Sequence, residues 1–486
     1  MIRSMRPSRR DLVAGSAAFA AAAHLPSRLL AQAATGHPGP LPAQSEFVIR
    51  GATVITMDPG IPDLATGDIH VRDGAIVAVG AHVEAPGIEV IDGTGKIAMP
   101  GLVDTHWHMW GSVARNMAGE DNNHGYFVFA RAVGRVFKPE DNARGVRLSL
   151  AEAIHGGITT VHNWSHNIIS PDYADAEIEA HRAFGVRALF GYGYAGVAMQ
   201  NAPVDLADLP RVKAAYFAGG DGLLTLGMCS RGPESNSLEI TQREWKAARD
   251  LGLRISAHVG TNAFRVKQTP AIRILSEAGL LGPDILVVHD TVASDEDIGM
   301  LARSGTFVSM SPLTEMRTGF GIPPVLRMLN AGVPIALSID TTVLSGNADL
   351  FTIMKALQNV GDGSAPSEFA LPPRKVLEMA TIGGARALGI ADRTGSLTPG
   401  KRADIALLRA GDINMGPSND PVRMIVQSAQ PANVEATIVD GRFLKRDGKL
   451  VGIDTRKLLA DASETMDRVR QGIDKLLNDA ESKVVR

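Results

Sequence analysis

Two rhythms of apolar and polar residues alternate along this chain. Near each end, short apolar runs are separated by turn pairs: Ile69 and Val71 interleave with His70 and Arg72, Asp73-Gly74 gives a hairpin signal, and Ala75 to Val79 returns. The same grammar recurs from Asp404 to Leu408 and from Val434 to Val451, with Asp440-Gly441 and Asp447-Gly448 as turns. Neither stretch has enough strands to enclose a core by itself. The pattern therefore predicts that the ends, residues 34–100 and 395–455, pair into one composite β-sandwich domain whose N-terminal part is a small antiparallel sheet.

Between them a short apolar strand followed by an amphipathic helix repeats eight times. The strands are expected at Leu102–His108, Gly157–Asn163, Arg187–Gly193, Leu223–Met228, Arg254–Gly260, Asp284–Asp290, Thr306–Pro312 and Pro334–Asp340. Helical stretches such as Asp141–His155, Thr241–Leu251, Pro270–Ala278 and Asp295–Arg303 separate them. Eight such units predict an α/β fold, a (β/α)8 TIM barrel over residues 101–394. A last amphipathic helix is expected over 456–486, where Leu459, Ala462, Met466, Val469, Ile473 and Leu476 form an apolar stripe. The stripe suits packing on the chain's own barrel or a contact between copies in a homo-oligomer.

Ligands of such barrels gather at the C-terminal ends of the strands, and the polar residues here fall there. His106 and His108, two apart on the first strand, share a face; His258 ends the fifth strand, His289 the sixth and Asp340 the eighth. Imidazoles and a carboxylate converging at one barrel end form a donor set for a divalent metal, Zn²⁺ first, with Fe²⁺ or Mn²⁺ accepted by the same ligands. Trp107, Trp110, Trp164, Tyr192 and Tyr194 cluster at strand ends, which suits a pocket for a flat small-molecule substrate. Trp110, His166, Tyr194 and Glu315 are the candidate substrate-contacting residues, with Arg317 and His162 nearby.

Composition narrows the partners. The 486 residues are 21% charged and 45% hydrophobic with a net charge of −3, and no basic tail marks a nucleic-acid binder. Residues 1–33 read as an address: Arg3, Arg6, Arg9 and Arg10 precede an apolar run from Leu12 to Leu25, and Ala31-Gln32-Ala33 offers a cleavage site. Ser8-Arg9-Arg10-Asp11-Leu12-Val13 is similar to the twin-arginine motif, which implies the export machinery for folded proteins and a periplasmic or secreted product. Its five Arg and one Asp carry +4, so removal leaves about −7. No later apolar run reaches the ~18 residues of a membrane span. Cys229, the only cysteine, excludes an intrachain disulfide and is expected as core packing.

The set Pro100-Gly101 to His108, the His258 strand, Val287-Val288-His289, Gly332-Val333-Pro334 to Asp340, and Gly395 to Asp404 resembles the amidohydrolase superfamily. Within it, the chain is similar to the mononuclear branch of cytosine deaminase, S-adenosylhomocysteine deaminase and the triazine hydrolases. The resemblance runs from about Phe47 to Asp454. It implies His106, His108, His258 and Asp340 as ligands of one metal, Asp340 as acceptor of the water's proton, and His289 as contact to substrate or water. The fourth strand has no Lys of the kind that carries a second metal. These relatives usually place a Glu three residues after the strand-five His, and this chain has Thr261 there. That departure shifts the expectation from deamination of a free purine or pyrimidine base toward hydrolysis of an amide, urea or related C–N bond in a small cyclic or aromatic molecule. Deamination of an aminated heterocycle, hydrolysis of an aryl halide or thioether, and a non-catalytic metal-binding barrel are the alternatives.

Overall fold

The two ends of the chain meet in one sheet. In this computed structural model, residues 40–484 are described except 122–123, 197–200, 220–221 and 418, so the expected export segment lies outside the described residues. Strands β1 (Phe47–Val54), β2 (Leu64–Arg72), β3 (Ala75–Gly80), β4 (Glu89–Asp92) and β5 (Lys96–Pro100) come from the N-terminal part. Strands β14 (Ile405–Arg409), β15 (Val434–Val439), β16 (Arg442–Arg446) and β17 (Lys449–Leu450), numbered in chain order, complete it. β5 pairs antiparallel with β14, Leu407 facing Ala98, and this seam joins the halves. β4 and β5 run parallel to β1, so the N-terminal part is mixed rather than antiparallel as its hairpin pattern suggested. Alternation along a strand carries no information on the direction of a neighbour reached by a longer crossover.

The halves fold over a shared core of Phe47, Ile49, Ile69, Ile405, Leu407, Ile438 and Phe443, with the rings of Phe47 and Phe443 4.9 Å apart. Their hairpin tips abut: Gly74 and Gly441 both have φ +73°, and a Cβ on Gly441 would lie 2.7 Å from the Gly74 Cα. Only glycine meets both demands.

The barrel strands are β6 (Leu102–Trp107), β7 (Ile158–Ser165), β8 (Arg187–Tyr192), β9 (Leu224–Ser230), β10 (Arg254–Val259), β11 (Ile285–His289), β12 (Phe307–Met310) and β13 (Ile335–Leu337), neighbours in that order and parallel throughout. β13 returns to β6 through a parallel bridge between Trp107 and Asp340. Their covering helices include Pro139–His155, Leu238–Asp250, Ala271–Glu277 and Asp295–Ser304, each within a few residues of its expected span. Below the strands, Arg187 reaches Asp404 through Nε (2.7 Å) and Nη2 (3.1 Å), and Asp404 accepts the Asp440 backbone N–H. This buried pair ties barrel to sheet. The C-terminal helix, Thr455–Val484, buries Ala462, Met466, Val469 and Ile473 against Trp110, Val133 and Phe137, while Leu459 stays 57% exposed. These four stripe residues are therefore used by the chain's own barrel; the side chain of Leu476 lies outside the described residues. Among the described residues no helix is long and apolar enough to cross a membrane.

Candidate metal centre

Strand periodicity builds the cluster. On β6, His106 points into the barrel and Trp107, one residue on, points into the layer beneath the helices; His108 follows the strand and returns to the inner face. Trp107 thus packs in the core and does not line the pocket. Tyr192 at the end of β8 behaves likewise, its hydroxyl donating to Asp208 at 2.8 Å. His106 Nε2 lies 3.2 Å from His258 Nε2 and 3.2 Å from Asp340 Oδ1, and His108 Nε2 lies 3.3 Å from the same oxygen. His106, His108 and Asp340 form one ligand-competent group; His106, His258 and His289 form another.

Backbone constraints hold these atoms together. The Asp340 N–H donates to His106 O (2.8 Å) and the His108 N–H to Asp340 O (2.7 Å), fastening strand eight to strand one. Asp104, fully buried, accepts from the Ile339 and His106 N–H groups at 2.7 and 3.1 Å. His289 and Asp340 sit at φ +78° and +64°, a left-handed conformation costly for non-glycine residues and characteristic of functional sites. The polar interior beneath, where Thr105, Ser309, Ser338 and Ser311 pass hydrogen bonds of 2.7–2.8 Å, supports the strand ends.

The electrostatics call for a cation. Burial, then the neighbouring imidazoles, holds His106, His108 and His258 well below the usual histidine range, so all three are neutral. The His108 Nδ1 faces Trp164 O, and a neutral ring donating there presents a lone pair at Nε2. Three neutral imidazoles thus stand at hydrogen-bond distance from one another or from the Asp340 carboxylate, and His106 Nδ1 has no hydrogen-bond partner. Three imidazoles and one carboxylate at this spacing fit a divalent metal. Burial also raises Asp340, to about 6, against the opposing pull of His289 and His166.

The remaining candidates divide. His289 stacks near His258 with ring centroids 5.4 Å apart, and its Nε2 lies 4.0 Å from Asp340 Oδ2. Glu315 is fully buried, its Oε1 is 3.1 Å from His289 Nδ1 and accepts the Ser311 N–H at 2.9 Å, so it braces His289, while its Oε2 has no hydrogen-bond partner. Burial would lower His289, but its hydrogen bond to Glu315 and the Asp340 charge raise it above the usual range. Trp110 donates through Nε1 to His166 Nδ1 (3.2 Å), and the His166 ring is 4.3 Å from that of His108. Tyr194 lies beyond Trp164, 5.8 Å between centroids, beneath the Arg231 guanidinium. Arg317 points away and donates to Leu344 O, while His162 is buried below the cluster against Thr105 O and Cys229. Cys229 is buried, its thiol pushed up by that burial. Asp104 and Glu234 are additions: Glu234, in the loop after β9, accepts the Gly260 N–H at 2.7 Å. A carboxylate just past the fourth strand end was the available signal for it.

The amidohydrolase family model matches residues 97–444. A 5′-deoxyadenosine deaminase of Methanosarcina mazei is 30% identical over 439 residues, covering 87% of this chain and 98% of that protein. A 5-methylthioadenosine/S-adenosylhomocysteine deaminase of Desulforudis audaxviator is 30% identical over 447 residues, covering 88% and 100%. Among solved structures, a zinc-bound adenosine deaminase of Xanthomonas campestris shares the fold at TM-score 0.80 and 24% identity over 88% of this chain and all of that one. An atrazine chlorohydrolase of Arthrobacter aurescens complexed with zinc does so at TM-score 0.78 and 23% identity over 86% and 99%. With its barrel, its cluster of metal-ligating side chains and these relatives, the chain belongs to the amidohydrolase family and is a metal-dependent hydrolase of carbon–nitrogen bonds.

Proposed function

We propose that this enzyme hydrolyses an exocyclic C–N bond of a small, flat nitrogen heterocycle at a single-metal site held by His106, His108, His258 and Asp340. The observation that carries the reading is the convergence of three neutral imidazoles and one carboxylate at the ends of the first, fifth and eighth barrel strands. When bound there, a divalent ion such as zinc lowers the pKa of water toward ~7 and so supplies a nucleophile at neutral pH.

The chain's own groups do the rest. Asp340 accepts the proton still on the attacking oxygen when the exocyclic nitrogen departs. Glu315 fixes the His289 Nδ1 proton, which leaves Nε2 turned to the reacting group; His289 polarises it or protonates what departs. Trp110 and His166, bonded to each other, and Tyr194 supply flat surface beside the cluster. A cleft of about 450 Å³ lined by Ile168, Tyr194, Asp205 and Arg243 has room for a substituent carried by the ring. The two deaminases named above, acting on 5′-deoxyadenosine and on 5-methylthioadenosine or S-adenosylhomocysteine, favour an aminated purine nucleoside as the first substrate to try.

Zinc-loaded protein is therefore assayed for ammonia, amine and acid release from 5′-deoxyadenosine, adenosine, cytosine, and simple amides and ureas. Release from a ring-borne C–N bond is expected. Turnover confined to acyclic amides overturns the heterocycle, and efficient deamination of free cytosine overturns the preference against bases. We also propose that residues 1–33 direct twin-arginine export and that the mature domains are 34–100 with 395–455, 101–394 and 456–486. Replacing Arg9 and Arg10 by Lys should leave the precursor inside the cell; unchanged export overturns it.

A further inference from the structure

Hydrolysing a C–N bond of a heterocycle moves a proton from the attacking water to a nitrogen, and the carboxylate that does this must stand on the open side of the site. Asp340 and Glu315 are both committed: one faces three imidazoles, the other is buried against His289 and the Ser311 N–H. Position 261, at the mouth three residues beyond His258, carries a threonine. Yet a carboxylate does reach this edge from the neighbouring strand. β9 ends at Ser230, and the loop after it brings Glu234 Oε1 to 2.7 Å from the Gly260 N–H, two residues past His258. Gly260 is at φ +66°, and a Cβ there would collide with Asp290, so the backbone that seats Glu234 admits no side chain. Glu234 is half-buried at the mouth, and its charge acts on His289 across the opening.

Resting on the reading of a ring-borne C–N bond, we propose that Glu234 is the proton carrier of this enzyme, a catalytic carboxylate delivered from the fourth strand to the place beside the fifth. A proton leaves the water for the Glu234 carboxylate as the water oxygen bonds to the ring carbon. The electron pair of the C=N bond withdraws onto the ring nitrogen, and Glu234 returns the proton there. The net step is addition of one water across C=N, with Glu234 regenerated. The substrate class is then an aminated ring with a nitrogen next to the reacting carbon, and an amide or urea has no need of this group.

The test uses full-length protein loaded with zinc, or with cobalt, whose visible absorption reports deprotonation of the water at the site. Glu234→Gln keeps an acceptor for the Gly260 N–H, so it should retain one metal per chain. It should lose about 100-fold or more in kcat with 5′-deoxyadenosine, and the cobalt titration midpoint should fall by roughly half a pH unit because a negative charge near the water is gone. Adding Thr261→Glu to this variant should restore both. An unmoved midpoint overturns the proposal, whatever the turnover. Should Glu234→Gln shed its metal, the titration is read on Glu234→Asp, where a smaller movement in the same direction is expected and none overturns it. A wild-type enzyme inactive on 5′-deoxyadenosine would count against the substrate reading, while the midpoint still decides Glu234.

Discussion

Two buried polar clusters flank β7, and they are built from the same residue types to opposite ends. Toward the barrel axis stand His106, His108, His258 and Asp340. On the outer face Glu177 accepts from Asn142 and Asn163 at 2.8 Å each, and Asn163 lies 3.1 Å from His181 Nε2. In the outer cluster amide donors meet carboxylate acceptors and join two helices to a strand, with Asn163 Oδ1 and His181 Nδ1 left without a partner. In the inner cluster ring nitrogens and a carboxylate oxygen crowd around one point, where a cation fits. Burial and polarity are shared; the convergence of ligand atoms on one point separates a metal site from a structural network.

Breaking each cluster tests that distinction. His108→Ala is expected to cost the metal and roughly three or more powers of ten in turnover, whereas Glu177→Ala should keep a full equivalent; metal analysis of the two variants shows which cluster holds it. His289→Ala should bind metal normally and lose about 10²- to 10⁴-fold in kcat; metal loss instead would make it a ligand. Glu177→Ala strands the Asn142 and Asn163 amides, a loss of roughly 1–3 kcal/mol for each, read by denaturant unfolding. The smallest effect is in pH. Burial raises Glu177 to about 7 from an ordinary 4.5, so the folded protein holds this proton more tightly than the unfolded chain between those values. That favourable contribution is complete below about 4.5 and is lost as the pH rises to about 7. The melting temperature of Glu177→Gln relative to wild type should therefore climb across this window, and a flat difference would remove Glu177 as the cause.

How much of this was legible in the sequence follows from the range of each interaction. The eight strands were readable because apolar runs and helix periods are local, and the meeting of His106, His108, His258 and Asp340 because all four end strands. Facing was readable too, but Trp107 and Tyr192 were placed at the pocket from aromatic type alone, although the alternation that turns His106 inward turns Trp107 outward. The bond between Glu315 and His289 left no local mark because it joins residues 26 apart in sequence. Asp104, which fastens Ile339 from 235 residues away, carries no local mark at all. The direction of β4 and β5 was hidden for the same reason: pairing is a property of two segments.

The seam between β5 and β14 sets an order on how the protein is made. Ile97 and Leu408 are partners, so the ribosome must add more than three hundred residues after β5 before its neighbour exists. Until then the edge of β5 is open, and the strand carrying His106 and His108 continues straight from it through Gly101, whose N–H also waits for Asp404. Barrel units can collapse as they emerge, but the first one stays half-anchored until the sheet closes behind it. Such distant pairing slows folding. A nascent chain stalled before residue 404 should consequently lack a settled first strand, and the metal would be taken up late, as one of the last events of assembly rather than the seed of it.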